Sequence, residues 1–131
     1  MTPRLILAAC LEVMDRPWQW GAADCCTAAC DVFQRLHGID PMVPLRGRYS
    51  SRLGAARLIA RHGGWLAMGD ALAARAGLVV TDGRPGDLGL IDAGGGVLAL
   101  GVCTAPGVWA GKSEAGMATV RSVRRAWSCP R

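Results

Sequence analysis

The stretch Trp18-Gln-Trp-Gly-Ala-Ala-Asp-Cys-Cys-Thr-Ala-Ala-Cys-Asp-Val-Phe33 contains the signals that begin one helix and define its buried face. Asp24 is a favoured N-cap residue and Gly38 is suited to follow a helix C-terminus, so the sequence predicts a helix from Cys25 to His37. Small and apolar side chains recur at helical spacing and predict the core-facing stripe Cys26, Ala29, Cys30, Phe33 and Leu36. Cys25 lies off that stripe, in the first turn.

The position of Cys25 favours a reactive thiol. Unpaired backbone N–H groups and the helix dipole at a helix N-terminus favour an anion, and they lower the pKa of a thiol placed there. Such a thiolate attacks carbonyl carbon in hydrolases in which an imidazole handles the proton and a third polar group orients the imidazole. The alternative is that Cys25 is a small residue beside a packed helix end, and its position alone does not decide between the two.

The rest of the chain predicts helices followed by strands, which is an α+β arrangement. Capping residues and periodicity predict helices at about Pro3–Asp15, from Ser50 or Ser51 to His62, and at Trp65–Ala76. The predicted inward residues are Leu5, Ala8, Ala9 and Val13 in the first of these helices, and Leu53, Ala56, Ile59 and Ala60 in the second. Short apolar runs between Gly and Pro turns then predict an antiparallel meander, with strands near residues 78–80, 87–91, 97–103, 108–110, 118–120 and 123–127.

Length and composition limit the classes of protein to which the chain can belong. Its 131 residues, about half of them apolar, suffice for one domain with a core. No segment approaches the ~20 apolar residues of a membrane helix, and the short run Leu5–Leu11 lacks the flanks of a signal peptide. The net charge of +5 comes almost entirely from scattered arginines, so we expect a solvated basic surface and no nucleic-acid site.

The six cysteines are expected to be free thiols, because no secretory signal is apparent. Cys26 and Cys30 are one helical turn apart, a spacing that buries both on one face and does not suit a disulfide. His37 and His62 have no zinc-like spacing, so neither a metal nor another cofactor is predicted. A redox or metal-binding module built on Cys25, Cys26 and Cys30 is a third interpretation of the sequence.

Several motifs occur in an order that resembles one peptidase family. The pattern W-x-W-G-x-x-D-C at Trp18–Cys25, the run Pro85-Gly-Asp-Leu-Gly-Leu-Ile91 and the run Leu100-Gly-Val102 are similar to the NlpC-type cysteine peptidases. These are compact papain-fold enzymes that cleave peptidoglycan stem peptides. The resemblance implies a papain-like NlpC-type fold in which N-terminal helices pack on a C-terminal antiparallel sheet.

Other segments resemble a group of small phage and prophage proteins related to those peptidases. They are the loop Gly38-Ile-Asp-Pro41, the element Arg46-Gly-Arg-Tyr49 and the closing Ala126-Trp127. Such proteins are encoded among the tail genes of long-tailed phages and gene transfer agents. The resemblance covers nearly the whole chain, from about Pro17 to Trp127, and implies a single NlpC-like domain over residues 1–131.

The resemblance also implies roles for individual residues. Cys25 takes the position of the family's nucleophile, with Asp24 as the helix cap beside it. The family's base comes from a His-Val-Gly-Ile strand, and the matching stretch here begins at Ala99, which is therefore a vestigial base position. The residue that orients the base falls near Trp109. Neither Ala nor Trp accepts a proton, so Cys25 is a candidate or vestigial nucleophile without an evident base.

The two histidines do not obviously replace that base. His37 lies about three turns, or ~18 Å, from Cys25 along the same predicted helix. His62 is expected to complete a helix C-terminus, where a partly positive imidazole is favoured.

The function implied by the resemblance is structural: an inactive peptidase-like component of a phage or gene-transfer-agent tail tip or baseplate. It would be made in the bacterial cytoplasm, reside in the virion tail, and bind neighbouring tail proteins, with peptidoglycan as a further ligand. Aromatic and Arg side chains anchor many interfaces, so the candidate interface residues are Trp18, Trp20, Arg46, Arg48 and Trp109. The alternative is an active cysteine peptidase or amidase that cleaves peptidoglycan during cell-wall penetration.

Overall fold

Four helices precede six strands in the computed structural model, which describes all 131 residues. The predicted α+β class is therefore confirmed. The helices are α1 (Pro3–Met14), α2 (Cys25–His37), α3 (Arg52–Arg61) and α4 (Trp65–Arg75). The strands are β1 (Val79–Thr81), β2 (Leu88–Asp92), β3 (Leu98–Ala105), β4 (Val108–Ser113), β5 (Gly116–Val120) and β6 (Val123–Ser128).

α2 has the limits and the buried face that the sequence predicts. Asp24 accepts a hydrogen bond from the backbone of the first turn, and Gly38 ends the helix with a φ of 74°. Its predicted stripe is buried apart from Leu36, which is half-buried. Ala28 and Val32 are buried as well, because α2 contacts both α1 and the sheet. The helix therefore lies at the centre of the core.

α1 presents a different face to the core from the one predicted. Its buried residues are Ile6, Ala9, Cys10, Val13 and Met14. Ala9 and Val13 agree with the prediction, whereas Leu5 is 62% exposed and Ala8 is also exposed. Almost every side chain of this helix is apolar, so periodicity does not distinguish the two neighbouring stripes. Packing against α2 and β3 selects between them.

α3 is the least buried helix. The sequence predicts four inward residues, but none of them is buried, and Leu53 is 59% exposed. The only element with which α3 makes substantial contact is α4. An amphipathic pattern leads to burial only where another element covers the apolar face, and here little of the chain does so.

The strands form one antiparallel sheet in the order β1-β6-β2-β3-β4-β5. The predicted meander is confirmed from β2 to β5, but it is wrong for β6, which returns to lie between β1 and β2. Trp127 of β6 explains this return, since its ring lies beneath α4 against Gly69 and its Nε1–H donates to Asp70 Oδ1 at 2.9 Å. Burial of this large aromatic favours the position of β6 between β1 and β2.

Alternate residues of the strands belong to two buried clusters, as the period of two requires. The larger cluster joins the helices to residues such as Leu90, Leu100 and Val102. The smaller one consists of Ile91, Ala99, Cys103, Trp109 and Ala126. Gly89 makes room for the Trp109 ring, because a Cβ there would lie 2.4 Å from Trp109 Cζ3.

None of the four helices is both long enough and apolar enough to cross a lipid bilayer.

Candidate functional site

The N-terminus of α2 is held by a closed set of hydrogen bonds around Asp24, which is 2% exposed. Its Oδ1 accepts the backbone N–H of Thr27 at 2.9 Å, while Thr27 Oγ1 accepts the backbone N–H of Asp24, so the two residues form a reciprocal capping box. Its Oδ2 accepts the N–H of Gly21 at 2.8 Å and the Tyr49 hydroxyl at 2.6 Å. These contacts fix the backbone that carries Cys25.

Cys25 is the first residue of the helix and is half-buried. Its sulfur lies 3.9 Å from that of Cys26, and the Cys26 thiol, by donating to the Cys25 thiolate, lowers the pKa of Cys25. Burial and the charge of Asp24 oppose this, whereas the backbone N–H groups of Leu100 and Cys26 support it. The same interaction, together with burial, raises the pKa of Cys26 well above the usual range. Cys25 is therefore the thiol of the pair that ionises.

The buried cluster of the sheet that Cys25 contacts contains no imidazole and no carboxylate. Cys25 packs against the smaller buried cluster, which includes both Ala99 and Trp109. Cys25 and Ala99 also line the same cavity, whereas Trp109 does not. Ala99 offers a methyl group and Trp109 a buried indole, neither of which takes up a proton at neutral pH.

Both histidines are committed elsewhere. His37, at the opposite end of α2, donates its Nε2–H to the carbonyl of Gly86 at 2.8 Å and stacks on Phe33 with ring centroids 4.3 Å apart. His62 donates Nδ1–H to the carbonyl of Leu58 at 2.8 Å, at the end of α3. Neither imidazole lines the cavity onto which Cys25 opens.

That cavity has a volume of about 460 Å³. It lies between the N-terminus of α2, the apolar side of α3 and the hairpin that joins β2 to β3. Most of its lining is apolar, including Trp18, Trp20, Trp65, Met42, Leu58, Ile59 and Ala99. The volume falls within the ~300–1,000 Å³ range of small-ligand sites. Cys25 therefore lies on the wall of an apolar cavity of ligand size.

Lys112 is a buried residue of the cavity wall that sequence reasoning did not single out. It is 4% exposed and donates from Nζ to the carbonyls of Met14, at 2.9 Å, and of Arg16. Met14 is the last residue of α1 and Arg16 lies two residues beyond it, so the ammonium sits at the helix C-terminus, where the helix dipole favours a cation. No local pattern predicts the contact, since its partners are 98 and 96 residues away.

The five candidate interface residues occupy different environments. Trp18 and Trp20 form an edge-to-face pair with centroids 5.1 Å apart and line the cavity, and Trp18 Nε1 is buried without a partner. Arg46 binds Asp31 and Asp40 at 2.7 Å each and so ties the loop after α2 to that helix. Arg48 is exposed and forms no ion pair.

Trp109 is 1% exposed, so its prediction as a surface contact is wrong. Its ring fills the space that Gly89 provides.

Asp87, in the motif Pro85-Gly86-Asp87, organises the turn between β1 and β2. It is 1% exposed, and its carboxylate accepts hydrogen bonds from Thr81 Oγ1 at 2.7 Å, the Arg84 N–H at 2.9 Å and the Arg131 guanidinium at 2.7 Å. Although burial opposes it, this set of donors lowers the pKa of Asp87. The residue thus has a structural role at the start of β2.

The cysteines are all free, and no three His, Cys, Asp or Glu side chains converge to hold a metal ion. Cys25, Cys26 and Cys30 thus do not form a metal site with other ligands.

Residues 3–129 match the family described as Domain of unknown function (DUF6950). The match covers nearly the whole chain, so the protein belongs to that family. No curated protein and no solved structure matches the chain.

Proposed function

We propose that the protein is a structural or assembly component of a phage or phage-like tail tip or baseplate, built on a peptidase-like domain that no longer hydrolyses peptides. Its role is to bind neighbouring tail proteins. The tail context rests on the motif resemblance between Pro17 and Trp127, and the non-hydrolytic character rests on the site.

The observation that carries the proposal is the surroundings of Cys25. The thiol has the helix position and the lowered pKa of a nucleophile, but the position matched to the base, in the cluster that Cys25 contacts, is Ala99, and no imidazole lines the cavity. Amide hydrolysis requires a proton to be delivered to the leaving amine. Loss of a catalytic member typically costs several powers of ten in rate. A domain that retains the helix and the thiol of such a site, but not the base, is suited to binding a protein partner without cleaving it.

Exposed apolar and basic groups support a binding role. Arg48 projects without an ion pair, and Val43 in the same loop is 49% exposed. Arg and apolar side chains together are typical anchors of protein interfaces. Arg46 and Tyr49, which flank Arg48, bind carboxylates of α2 and its cap and so hold this part of the loop against the helix.

Co-expression with the tail proteins encoded beside it, followed by affinity purification, tests the assembly role. We expect a stable complex that survives Cys25→Ser and weakens about tenfold or more with Arg48→Glu, as for an interface anchor. Arg75→Glu is the matched control, since Arg75 is also exposed and unpaired but lies on α4. Absence of any complex with tail proteins would contradict the proposal.

The second candidate function is an active peptidoglycan peptidase or amidase. The lowered pKa of Cys25 favours it, because a thiolate is the form that attacks a carbonyl. Incubating purified protein with peptidoglycan and separating the soluble fragments tests this function. Release of new peptide termini by the wild type, absent with Cys25→Ser, would establish hydrolysis and overturn the non-hydrolytic proposal.

A further inference from the structure

We propose that Cys25 is an acylation site: its sulfur accepts an acyl group from an acyl thioester, and the acyl chain occupies the apolar cavity beside it. The site comprises a pair of thiols and a cavity of about 460 Å³, so it is more than a single cysteine at a helix end. This inference concerns a covalent modification and does not depend on the assembly role.

The charges around the cavity select an uncharged occupant. The two buried charged groups in its wall are already compensated, since Asp24 accepts from Gly21, Thr27 and Tyr49, and Lys112 donates to two carbonyls. Arg52 and Glu114 are exposed and carry opposite charges. The remaining wall is mostly aliphatic and aromatic. An apolar chain without charge therefore complements the cavity better than an anion or a cation does.

The size of the cavity points to a chain longer than acetyl. A dry cavity of roughly 150 Å³ holds one benzene molecule, and this cavity is about three times larger. Trp18, Trp20 and Trp65 line it, so a bound chain would contact indole rings. Leu58 and Ile59 of α3 also line the cavity and are only half-buried, so they have apolar surface left for an occupant to cover.

The reaction is a thioester exchange and is balanced without a redox partner. Cys25 first loses its proton to solvent, with the thiolate stabilised by the Cys26 S–H and the Leu100 N–H. The sulfur then attacks the acyl carbonyl carbon, a new C–S bond forms, and the C–S bond to the carrier thiol breaks. The carrier leaves as a thiolate and takes up a proton from water. No imidazole is present to activate water against the product, so the new thioester persists.

Intact mass spectrometry of the reduced full chain tests the proposal, with myristoyl-coenzyme A and acetyl-coenzyme A as separate donors. We expect one myristoyl group per chain, located at Cys25 by peptide mapping and released by neutral hydroxylamine. The adduct should be absent in Cys25→Ser and retained in Cys129→Ser, the matched control at another half-buried thiol. Myristoyl transfer should exceed acetyl transfer about tenfold or more, because burial of many methylene groups favours the longer chain.

Variants that narrow the cavity distinguish binding of the acyl chain from the reactivity of the thiol alone. Ala55→Trp on α3, or Val97→Trp in the β2–β3 hairpin if the first variant does not fold, should lower the ratio of myristoyl to acetyl transfer about tenfold. Alkylation of Cys25 by iodoacetamide is measured in parallel. Equal rates for both donors, an adduct at Cys129, or no adduct would each overturn the proposal, whether or not Cys25 is alkylated.

Discussion

Tyr49 donates its phenolic hydrogen to Oδ2 of Asp24 over 2.6 Å, and so joins the loop between α2 and α3 to the residue immediately before Cys25. Burial raises the pKa of Tyr49, which keeps the hydroxyl protonated and able to donate. The position of the backbone at Cys25 therefore depends on a contact between residues that are 25 positions apart in the sequence.

Replacing Tyr49 with Phe tests the strength of this connection. Asp24 would lose one donor in a buried setting, so we expect the free energy of unfolding to fall by about 1–3 kcal/mol. Urea denaturation followed by tryptophan fluorescence provides the measurement. Ser51→Ala, which removes the exposed cap of α3, is the comparison and should cost at most about 1 kcal/mol. An unchanged midpoint for Tyr49→Phe would show that the hydroxyl contact is dispensable.

The thiols should differ in their reaction with iodoacetamide. Burial raises the pKa of Cys10 to about 12 and that of Cys103 to about 11, whereas the pKa of Cys25 is lowered from its ordinary value of 9.0. Because the thiolate is the reacting form, alkylation of Cys25 should reach half its plateau rate below pH 9.0. Mass spectrometry of peptides from samples quenched at several pH values gives these profiles. Faster alkylation of Cys10 than of Cys25 would contradict the assigned geometry.

Ala99→His places an imidazole in the cluster that Cys25 contacts, on the wall of the same cavity. A thiolate–imidazolium pair should lower the pKa of Cys25 further, so alkylation near pH 6 should accelerate, by about tenfold for each unit that the pKa falls. Thr119→His, exposed on β5 and outside the cavity lining, is the matched control and should have little effect. Full hydrolytic activity is not expected, since Trp109 cannot orient the new ring. Equal acceleration in both variants would show that residue 99 has no special relation to the thiol.

Asp87 should make the fold sensitive to acid. Its pKa is lowered in the folded protein, so its contribution to stability is present above the ordinary carboxyl pKa of 3.8 and is lost as the pH falls through the lowered value. Asp87→Asn should reduce the free energy of unfolding at pH 7 by about 2–3 kcal/mol and flatten its dependence on acid pH. Thermal melts at intervals of about one pH unit, from about pH 2 to pH 7, give the dependence of stability on pH. Asp82→Asn, at an exposed site, should change little, and an equal loss there would contradict the assignment.

Gly89→Ala should disturb the smaller cluster. The added methyl would lie 2.4 Å from the Trp109 ring, and overpacking of this kind typically costs about 1–3 kcal/mol. Gly54→Ala is the comparison, because its Cβ would meet Ser51 Oγ at 3.2 Å while gaining the ~1 kcal/mol helix preference of Ala. Chemical denaturation of both variants measures the difference. A Gly89→Ala variant as stable as the wild type would show that the ring can move aside.

The parts of the structure predicted correctly depend on local signals. The limits of α2 follow from Asp24 and Gly38, whose backbone preferences act within a few residues. The inward face of α1 was misassigned because its two apolar stripes differ by one residue, and only contacts with α2 and β3 distinguish them. The return of β6 and the burial of Lys112 depend on partners far away in sequence. The cavity is not predictable from local patterns, because it forms between α2, α3 and the β2–β3 hairpin, which are far apart in the sequence.

The position of β6 also bears on how the chain is made. β1 pairs with β6 alone, so its three residues have no partner strand until Val123–Ser128 have left the ribosome. A nascent chain that stops before this point exposes the free edge of β2, a template for pairing with other chains. We therefore expect released chains that end near residue 120 to aggregate or to be degraded, and the last step of folding to be insertion of β6 into an already formed sheet.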